Sequence, residues 1–133
     1  MRSNTQSVSI DVKADDLFSL VADVRALPRW AVGFAKSVVE EDGGWMVETG
    51  QGRMPIEITI DSSAGSVDFQ MHPAPGAVVV AFSRVLPRGE GSEYVFTQFQ
   101  SPGMPDDVFD GQVAALTHEL SVLKAIAEVQ CPL

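Results

Sequence analysis

Two charged side chains in the second half of the chain have the types and positions that could support proton transfer or anion binding. Glu119 lies on a predicted C-terminal helix, next to its apolar stripe. A half-buried Glu119 carboxyl would have a raised pKa and could donate a proton, whereas a solvated helix acid would have no such role. Arg84 lies within an apolar strand, where it either pairs with Glu119 or a ligand carboxylate or points outward to solvent. The sequence therefore leaves the catalytic residues unknown.

The sequence contains no motif for metal, nucleotide or triad chemistry. Its two histidines, His72 and His118, form neither a His-x-x-x-His nor a His-Glu-x-x-His pattern. The single cysteine, Cys131, excludes an intrachain disulfide and a cysteine-based metal cluster. The segment Gly50–Gly52 lacks the third glycine and the following helix of a dinucleotide fingerprint, and no serine lies in a Gly-x-Ser-x-Gly turn. We therefore expect neither a metal nor a cofactor.

The composition predicts a single globular domain spanning residues 1–133. Hydrophobic residues make up 45% of the 133 residues, which is enough for a sizeable core. The chain has 9 Lys and Arg against 18 Asp and Glu, a net charge of −9, and no basic run that would suit nucleic acid or an anionic membrane. Neither a long apolar stretch nor a signal sequence is visible, so we expect no membrane insertion and a cytoplasmic location.

The first quarter of the chain combines one strand with short helical segments. Gln6–Val12 places apolar side chains at every second position, which is typical of a half-buried strand. Ala14–Val24 follows a helical period and has two acids in its first turn. Leu27-Pro28 is predicted to break this helix, and Arg29–Phe34 is predicted to form a second short helical turn or a loop.

Six further strands are predicted at hairpin spacing. Turns rich in glycine and proline separate runs of alternating apolar and polar residues, and strands joined so closely must be mostly antiparallel. One face of the resulting sheet is expected to pack against the C-terminal helix and the other to face water. The predicted strands are 36–41, 45–50, 54–61, 67–72, 77–86 and 93–100.

The last quarter of the chain predicts one long amphipathic helix over residues 105–130. Pro105 suits the first helical position, and Asp106 and Asp107 suit the positive end of the helix dipole. At about 1.5 Å per residue the helix is about 40 Å long and could cross a small sheet. A long helix over a curved antiparallel sheet leaves a gap, in which we expect a ligand pocket. The main apolar stripe is Phe109, Val113, Leu116, Leu120, Leu123 and Ala127, and a second line is Gln112, Ala115, Glu119, Val122 and Ile126.

Residues spread along nearly the whole chain match the pattern of one superfamily. They are Val8–Ile10, Ala14–Phe18, Asp23, Leu27–Trp30, Gly89–Thr97 and the helical positions Phe109, Gln112, Leu116, Leu120, Leu123 and Lys124. With the order of elements, they resemble the START-like or SRPBCC superfamily, and most of all its bacterial polyketide cyclase/dehydrase branch. The resemblance implies one START-like α+β domain with the helix-grip fold. In that fold a seven-stranded curved antiparallel sheet, with two short helices after the first strand, holds a long C-terminal helix over a cavity for small hydrophobic ligands. It implies no universal catalytic motif.

The residues expected to line such a cavity follow from strand alternation and from the resemblance. Trp30 and Phe34 are candidates for the cavity mouth, with ordinary core packing as the alternative. We favour Tyr94, Phe96 and Gln98 as inward-facing by resemblance, although the opposite face of their strand is also partly apolar. The polar groups of Tyr94 and Gln98 could orient a hydroxylated ligand, or the Tyr94 hydroxyl could reach solvent. The remaining candidates are Phe69, Met71, Phe82, Arg84, Gln112 and Glu119.

Three functions are compatible with a fold of this kind. The first is the binding or carriage of a small hydrophobic or aromatic molecule. The second is a cyclase, dehydratase or aromatase reaction on a polyketide-like substrate, in which Tyr94, Gln98, Glu119 or Arg84 would move protons or hold an enolate. The third is an accessory domain that docks on a larger partner. The sequence leaves open whether the chain forms a homodimer, and no motif identifies the ligand.

Overall fold

The order of elements along the chain is the one that the sequence predicts: a strand, short helices, six strands and a long helix. A computed structural model describes all residues from Met1 to Leu133. Its elements are β1 (Ser3–Ile10), α1 (Ala14–Val21), a 3-10 turn (Val24–Ala26), α2 (Leu27–Trp30), β2 (Ser37–Glu41), β3 (Gly44–Thr49), β4 (Gly52–Asp61), β5 (Ser66–Met71), β6 (Val79–Arg88), β7 (Gly91–Phe99) and α3 (Asp106–Gln130).

The strands form one seven-stranded antiparallel sheet in the order β1-β7-β6-β5-β4-β3-β2. Strands β2 to β7 pair as consecutive hairpins, and β1 pairs with β7 so that Val8 lies opposite Tyr94. The turn before β5 requires glycine, because Gly65 has a φ of 73° and a Cβ there would press against the carbonyl oxygen of Val85. This curved antiparallel sheet with a long C-terminal helix over it confirms the predicted helix-grip fold.

Cross-strand pairing fixes which side chains share the concave face, the one that faces α3. Phe69 on β5 lies opposite Ala81 on β6, and Ser83 on β6 lies opposite Phe96 on β7. All four are buried or half-buried. Because side chains alternate along a strand, β6 turns Phe82 to the outer face of the sheet.

The long helix α3 packs its apolar stripe over the sheet. Its backbone comes closest to β1 and α2. Polar contacts fix it along β1, since Gln6 Nε2 donates to the Val113 carbonyl at 3.0 Å and Lys124 Nζ donates to the Ser9 carbonyl at 3.0 Å. The predicted stripe is buried except at Val113, which is half-buried, and Glu119 from the second line is buried with it. The buried residues of α3 are Phe109, Leu116, Glu119, Leu120, Leu123 and Ala127.

The segment between α1 and β2 differs from the prediction. Helix α1 ends three residues before the predicted boundary, and Asp23 starts a 3-10 turn by accepting the Arg25 backbone N–H at 3.0 Å. Leu27-Pro28 begins α2 instead of breaking a helix, because proline lacks an N–H that the first helical turn leaves unpaired anyway. The short helical turn or loop predicted for Arg29–Phe34 is the end of α2, up to Trp30, followed by a loop.

The bounds of several strands also differ from the prediction, most clearly at the ends of β1 and β6. Strand β1 ends at Ile10, so Val12, which was predicted to lie within this strand, is buried beyond its end. Strand β6 continues to Arg88 through a segment predicted as a turn, with Pro87 opposite Ser92 on β7. Pro87 therefore lies within β6, next to the β6–β7 turn, and does not end the strand.

Candidate functional site

Four of the predicted site residues form one continuous line of rings, which we call the aromatic row: Trp30, Tyr94, Phe96 and Phe69. Trp30 and Tyr94 meet edge to face, with ring centroids 6.1 Å apart and planes at 88°. Tyr94 lies 6.4 Å from Phe96, and Phe96 stacks on Phe69 at 6.2 Å with planes at 29°. All three centroid distances lie within the range of favourable aromatic pairs. The row runs from α2 across the concave face of the sheet to β5.

Small side chains on β6 allow the row to continue across the sheet. Phe69 is on β5 and Phe96 is on β7, so β6 lies between them. The inward residues of β6 at this level are Ala81, opposite Phe69, and Ser83, opposite Phe96. Because neither side chain rises far above the sheet, the two phenylalanine rings can stack over β6. Ala81 and Ser83 were not among the predicted site residues; their small size in an otherwise apolar strand was the signal available.

Three rings of the aromatic row are buried, including Phe69 at 4% exposed, and the ring of Phe96 is half-buried. Trp30 is 2% exposed and Tyr94 is 0% exposed, so their pair forms the deep end of the row. Phe96 is half-buried, as is Phe34 in the loop after α2. Trp30 therefore lies in the core, within the cluster of buried apolar side chains, and not at a cavity mouth.

Two polar atoms at the deep end of the row have no hydrogen-bond partner: Trp30 Nε1 and the Tyr94 hydroxyl. The Ser83 hydroxyl lies near the Tyr94 hydroxyl, but its single proton is donated to the Val67 carbonyl at 2.6 Å, so it cannot also donate to Tyr94. Burial raises the pKa of Tyr94, so its hydroxyl keeps its proton. Unpaired polar atoms are uncommon in protein interiors and each one calls for an explanation.

Glu119 is a buried acid that joins α3 to the loop after α2. Its residue is 7% exposed, and its Oε2 accepts the Gly33 backbone N–H at 3.0 Å. Burial raises the pKa of Glu119 to about 7, and hydrogen bonds from the Gly33 and Phe34 backbones oppose this effect in part. A Cβ at Gly33 would lie 3.2 Å from the Ala115 Cβ, so the loop packs tightly on this part of α3. Glu119 is thus a titratable group near neutral pH in the helix–loop contact.

Phe82 and Arg84 do not join the other candidates. Phe82 is 45% exposed and contacts Phe99 on the outer face of the sheet, with centroids 6.1 Å apart. Arg84 is also exposed, and its Nε donates to the Ala64 carbonyl at 2.8 Å. The alternation of β6 explains both positions, because Ala81, Ser83 and Val85 take the inward places. Arg84 therefore points outward and does not pair with Glu119.

The last three candidates lie towards the open side of the concave face. Met71 and Gln98 are half-buried, whereas Gln112 is exposed. Gln98 Nε2 lies 3.5 Å from the Gln112 carbonyl, at the limit of a hydrogen bond. This long contact is the one that the Gln98 amide nitrogen makes with α3.

Two open depressions on the protein contain none of the aromatic row. One, of about 370 Å³, is lined by Met1 and Gln100–Met104, and the other, of about 450 Å³, by Arg53, Pro55 and His72–Gly76. No three His, Cys, Asp or Glu side chains come together as a metal site would require. No helix of the protein is long and apolar enough to cross a membrane.

Comparison with protein families agrees with the fold. A sequence model for the family described as "Polyketide cyclase / dehydrase and lipid transport" matches residues 1–128, nearly the whole chain. No curated protein sequence matches. This family match supports the resemblance to the START-like superfamily and its polyketide cyclase branch.

Solved structures show the same architecture at low sequence identity. The di-domain ARO/CYC protein BexL from the BE-7585A biosynthetic pathway is 18% identical with a TM-score of 0.75, covering 94% of this chain and 46% of BexL. A START superfamily protein from Mycobacterium smegmatis is 14% identical with a TM-score of 0.71, covering 96% of this chain and 98% of that one. The Aha1 dimer from Colwellia psychrerythraea is 12% identical with a TM-score of 0.75, covering 97% and 98%. At these identities the likeness shows the fold alone.

Proposed function

The chain belongs to the polyketide cyclase/dehydrase and lipid transport family, and we propose that it binds a small hydrophobic or aromatic molecule between the sheet and α3. The aromatic row is the observation that carries this proposal. Ring faces and edges aligned across a concave apolar surface are suited to a flat or acyl ligand that stacks on them. Ligand sites of this kind are mostly apolar, with few polar groups that fix orientation.

The half-buried ring of the row, that of Phe96, marks the proposed point of entry. Phe96 is half-buried there, and half-buried Met71 and Val79 lie opposite each other on the neighbouring strands β5 and β6. These side chains present apolar surface without a charged group. A ligand entering at Phe96 would pass along the row towards the buried Tyr94 and Trp30.

Dye binding tests this proposal with a matched pair of variants. A neutral dye such as N-phenyl-1-naphthylamine is suitable, since an anionic dye would be repelled by the net charge of −9. We expect saturable binding near one dye per chain, with displacement by flat aromatic or acyl compounds. Phe96→Ala should weaken dye binding by removing a ring of the row. Phe82→Ala, which removes the same side chain from the outer face of the adjacent strand, should leave it unchanged.

The binding proposal fails if no dye saturates, or if both phenylalanine variants weaken binding equally. Intrinsic fluorescence gives a second readout, because the chain has two tryptophans, Trp30 and Trp45. A ligand on the row should change the emission of Trp30. The change should therefore persist in Trp45→Phe and disappear in Trp30→Phe. The opposite result would place the ligand near the β2–β3 hairpin and away from the row.

Glu119 supports a second candidate function, a cyclase or dehydratase reaction at the same site. A buried carboxyl with a pKa of about 7 can both give and take a proton near neutral pH. Incubation with a poly-β-ketone thioester analogue, followed by ultraviolet absorbance, would detect ring formation. Glu119→Gln should abolish the reaction while leaving dye binding intact. Equal rates with and without the wild-type protein would reject the enzymatic role.

The assembly and location of the protein remain predictions. A homodimer is proposed because one structural relative is described as a dimer, and light scattering on the purified protein would show a dimer or a monomer mass. Docking on a larger partner becomes the leading alternative if no small ligand binds. The cytoplasmic location also remains a prediction, which imaging of a tagged chain would test.

A further inference from the structure

We infer that the ligand carries a neutral oxygen acceptor, such as a ketone, ester or amide carbonyl, which Trp30 Nε1 and the Tyr94 hydroxyl hold at the deep end of the aromatic row. This inference rests on the proposed binding function and adds the chemical class of the ligand. It starts from the polar atoms that the protein itself leaves unpaired.

Only three buried side-chain polar atoms in the protein lack a hydrogen-bond partner: Trp30 Nε1, the Tyr94 hydroxyl and His72 Nε2. Two of the three belong to side chains in direct contact, with ring centroids 6.1 Å apart. His72 is elsewhere, at the start of the Pro73–Gly76 turn. The two unpaired groups therefore belong to neighbouring rings of the core.

The chemistry of these two groups selects an acceptor. An indole N–H can only donate a hydrogen bond, so the partner of Trp30 must offer a lone pair. The Tyr94 hydroxyl keeps its proton and can donate to the same oxygen or to a second one. An anionic acceptor is disfavoured, because none of the four side chains of the row is charged and burying an unpaired charge is costly. A neutral carbonyl oxygen meets these conditions.

A pair of matched ligands isolates this contact. 2-Acetylnaphthalene and 2-isopropenylnaphthalene have nearly the same size and outline, but only the first has a carbonyl oxygen. We expect Tyr94→Phe to reduce the preference for the ketone over the hydrocarbon by about fivefold to tenfold, the effect of one net hydrogen bond. Trp30→Phe should reduce it similarly. Trp45→Phe, the matched tryptophan control outside the row, should leave the preference unchanged. Comparing each variant with wild type cancels the different hydration of the two ligands.

The unliganded variant provides a readout that a purely structural role would not give. Tyr94→Phe removes a hydroxyl without a partner, so the melting temperature of the unliganded protein should stay the same or rise. A lower melting temperature would mean that the hydroxyl already has a partner within the protein, and would overturn the inference.

The remaining outcomes separate this inference from the proposed function. If neither naphthalene binds wild-type protein, the binding proposal itself fails. If both bind, and Tyr94→Phe and Trp30→Phe keep the wild-type preference, the binding proposal stands and the carbonyl contact is wrong. The same conclusion follows if the hydrocarbon alone binds.

Discussion

Replacing Glu119 by glutamine should change how the stability of the protein depends on pH. The residue is buried, and burial raises the pKa of its carboxyl from 4.5 to about 7 in the folded state. Glutamine has nearly the same shape and keeps an oxygen that can accept the Gly33 backbone N–H, but it does not titrate. The comparison of wild type with Glu119→Gln therefore isolates the ionisation of this one group.

The sign follows from which state of the protein binds the proton more tightly. Because the pKa of Glu119 is higher in the folded state than the ordinary value of 4.5, protonation favours folding. This contribution to stability is fully present below about pH 4.5 and is lost as the pH rises through about 7. The difference between 7 and 4.5 corresponds to about 3.4 kcal/mol, at about 1.36 kcal/mol per pKa unit. Between about pH 5 and pH 8.5, about 2.5 kcal/mol of it should be lost.

Urea unfolding at several pH values, followed by circular dichroism, measures this loss. The free energy of unfolding of wild type minus that of Glu119→Gln should fall by about 2.5 kcal/mol from pH 5 to pH 8.5. Glu128→Gln is the control on the same helix. The Asp11 backbone N–H and Lys124 lower the pKa of Glu128, so its contribution is lost only as the pH falls below the ordinary range of a glutamate. Parallel stability curves for wild type and Glu119→Gln would refute the raised pKa and the burial argument behind it.

Three further predictions concern packing, backbone conformation and metals. Leu116→Ala and Leu120→Ala, both in buried positions of α3, should each lower the free energy of unfolding by about 2–5 kcal/mol, and unchanged melting temperatures would mean that the helix packs by another face. Gly65→Ala should destabilise by more than about 1 kcal/mol because of its positive φ and the Val85 carbonyl. Gly111→Ala, in open space on α3, should instead stabilise by about 0.5–1 kcal/mol. A strong chelator should leave the melting temperature unchanged, and a tightly bound stoichiometric metal would contradict this.

The order of elements could be predicted because each element has its own apolar period. The C-terminal helix has steps of three and four residues, and β4 and β5 alternate with a period of two. Glycine and proline separate the hairpins, so the antiparallel topology followed from short connections. The start of α2 at Leu27 was not predicted, because a Leu-Pro pair is compatible both with the break of one helix and with the first turn of the next.

The inward face could be predicted for β7 but not for β6. On β7 the aromatic Tyr94 and Phe96 were placed inward with the help of the superfamily resemblance, and the pairing of Tyr94 with Val8 and Val85 agrees. On β6 both faces are apolar, so alternation alone leaves the register open. The larger side chain, Phe82, was taken as a site residue, whereas the small Ala81 is the one that faces inward.

The small residues of β6 also connect the fold to the proposed site. Larger side chains at Ala81 and Ser83 would themselves occupy the space directly above β6. Those small residues instead allow Phe69 and Phe96 to stack over β6. The same row ends at a Tyr94 hydroxyl without a partner, which phenylalanine would replace without loss of a protein hydrogen bond. The unpaired Tyr94 hydroxyl is the one feature of the row that a sealed core would not need, and the proposed ligand oxygen would give it a partner.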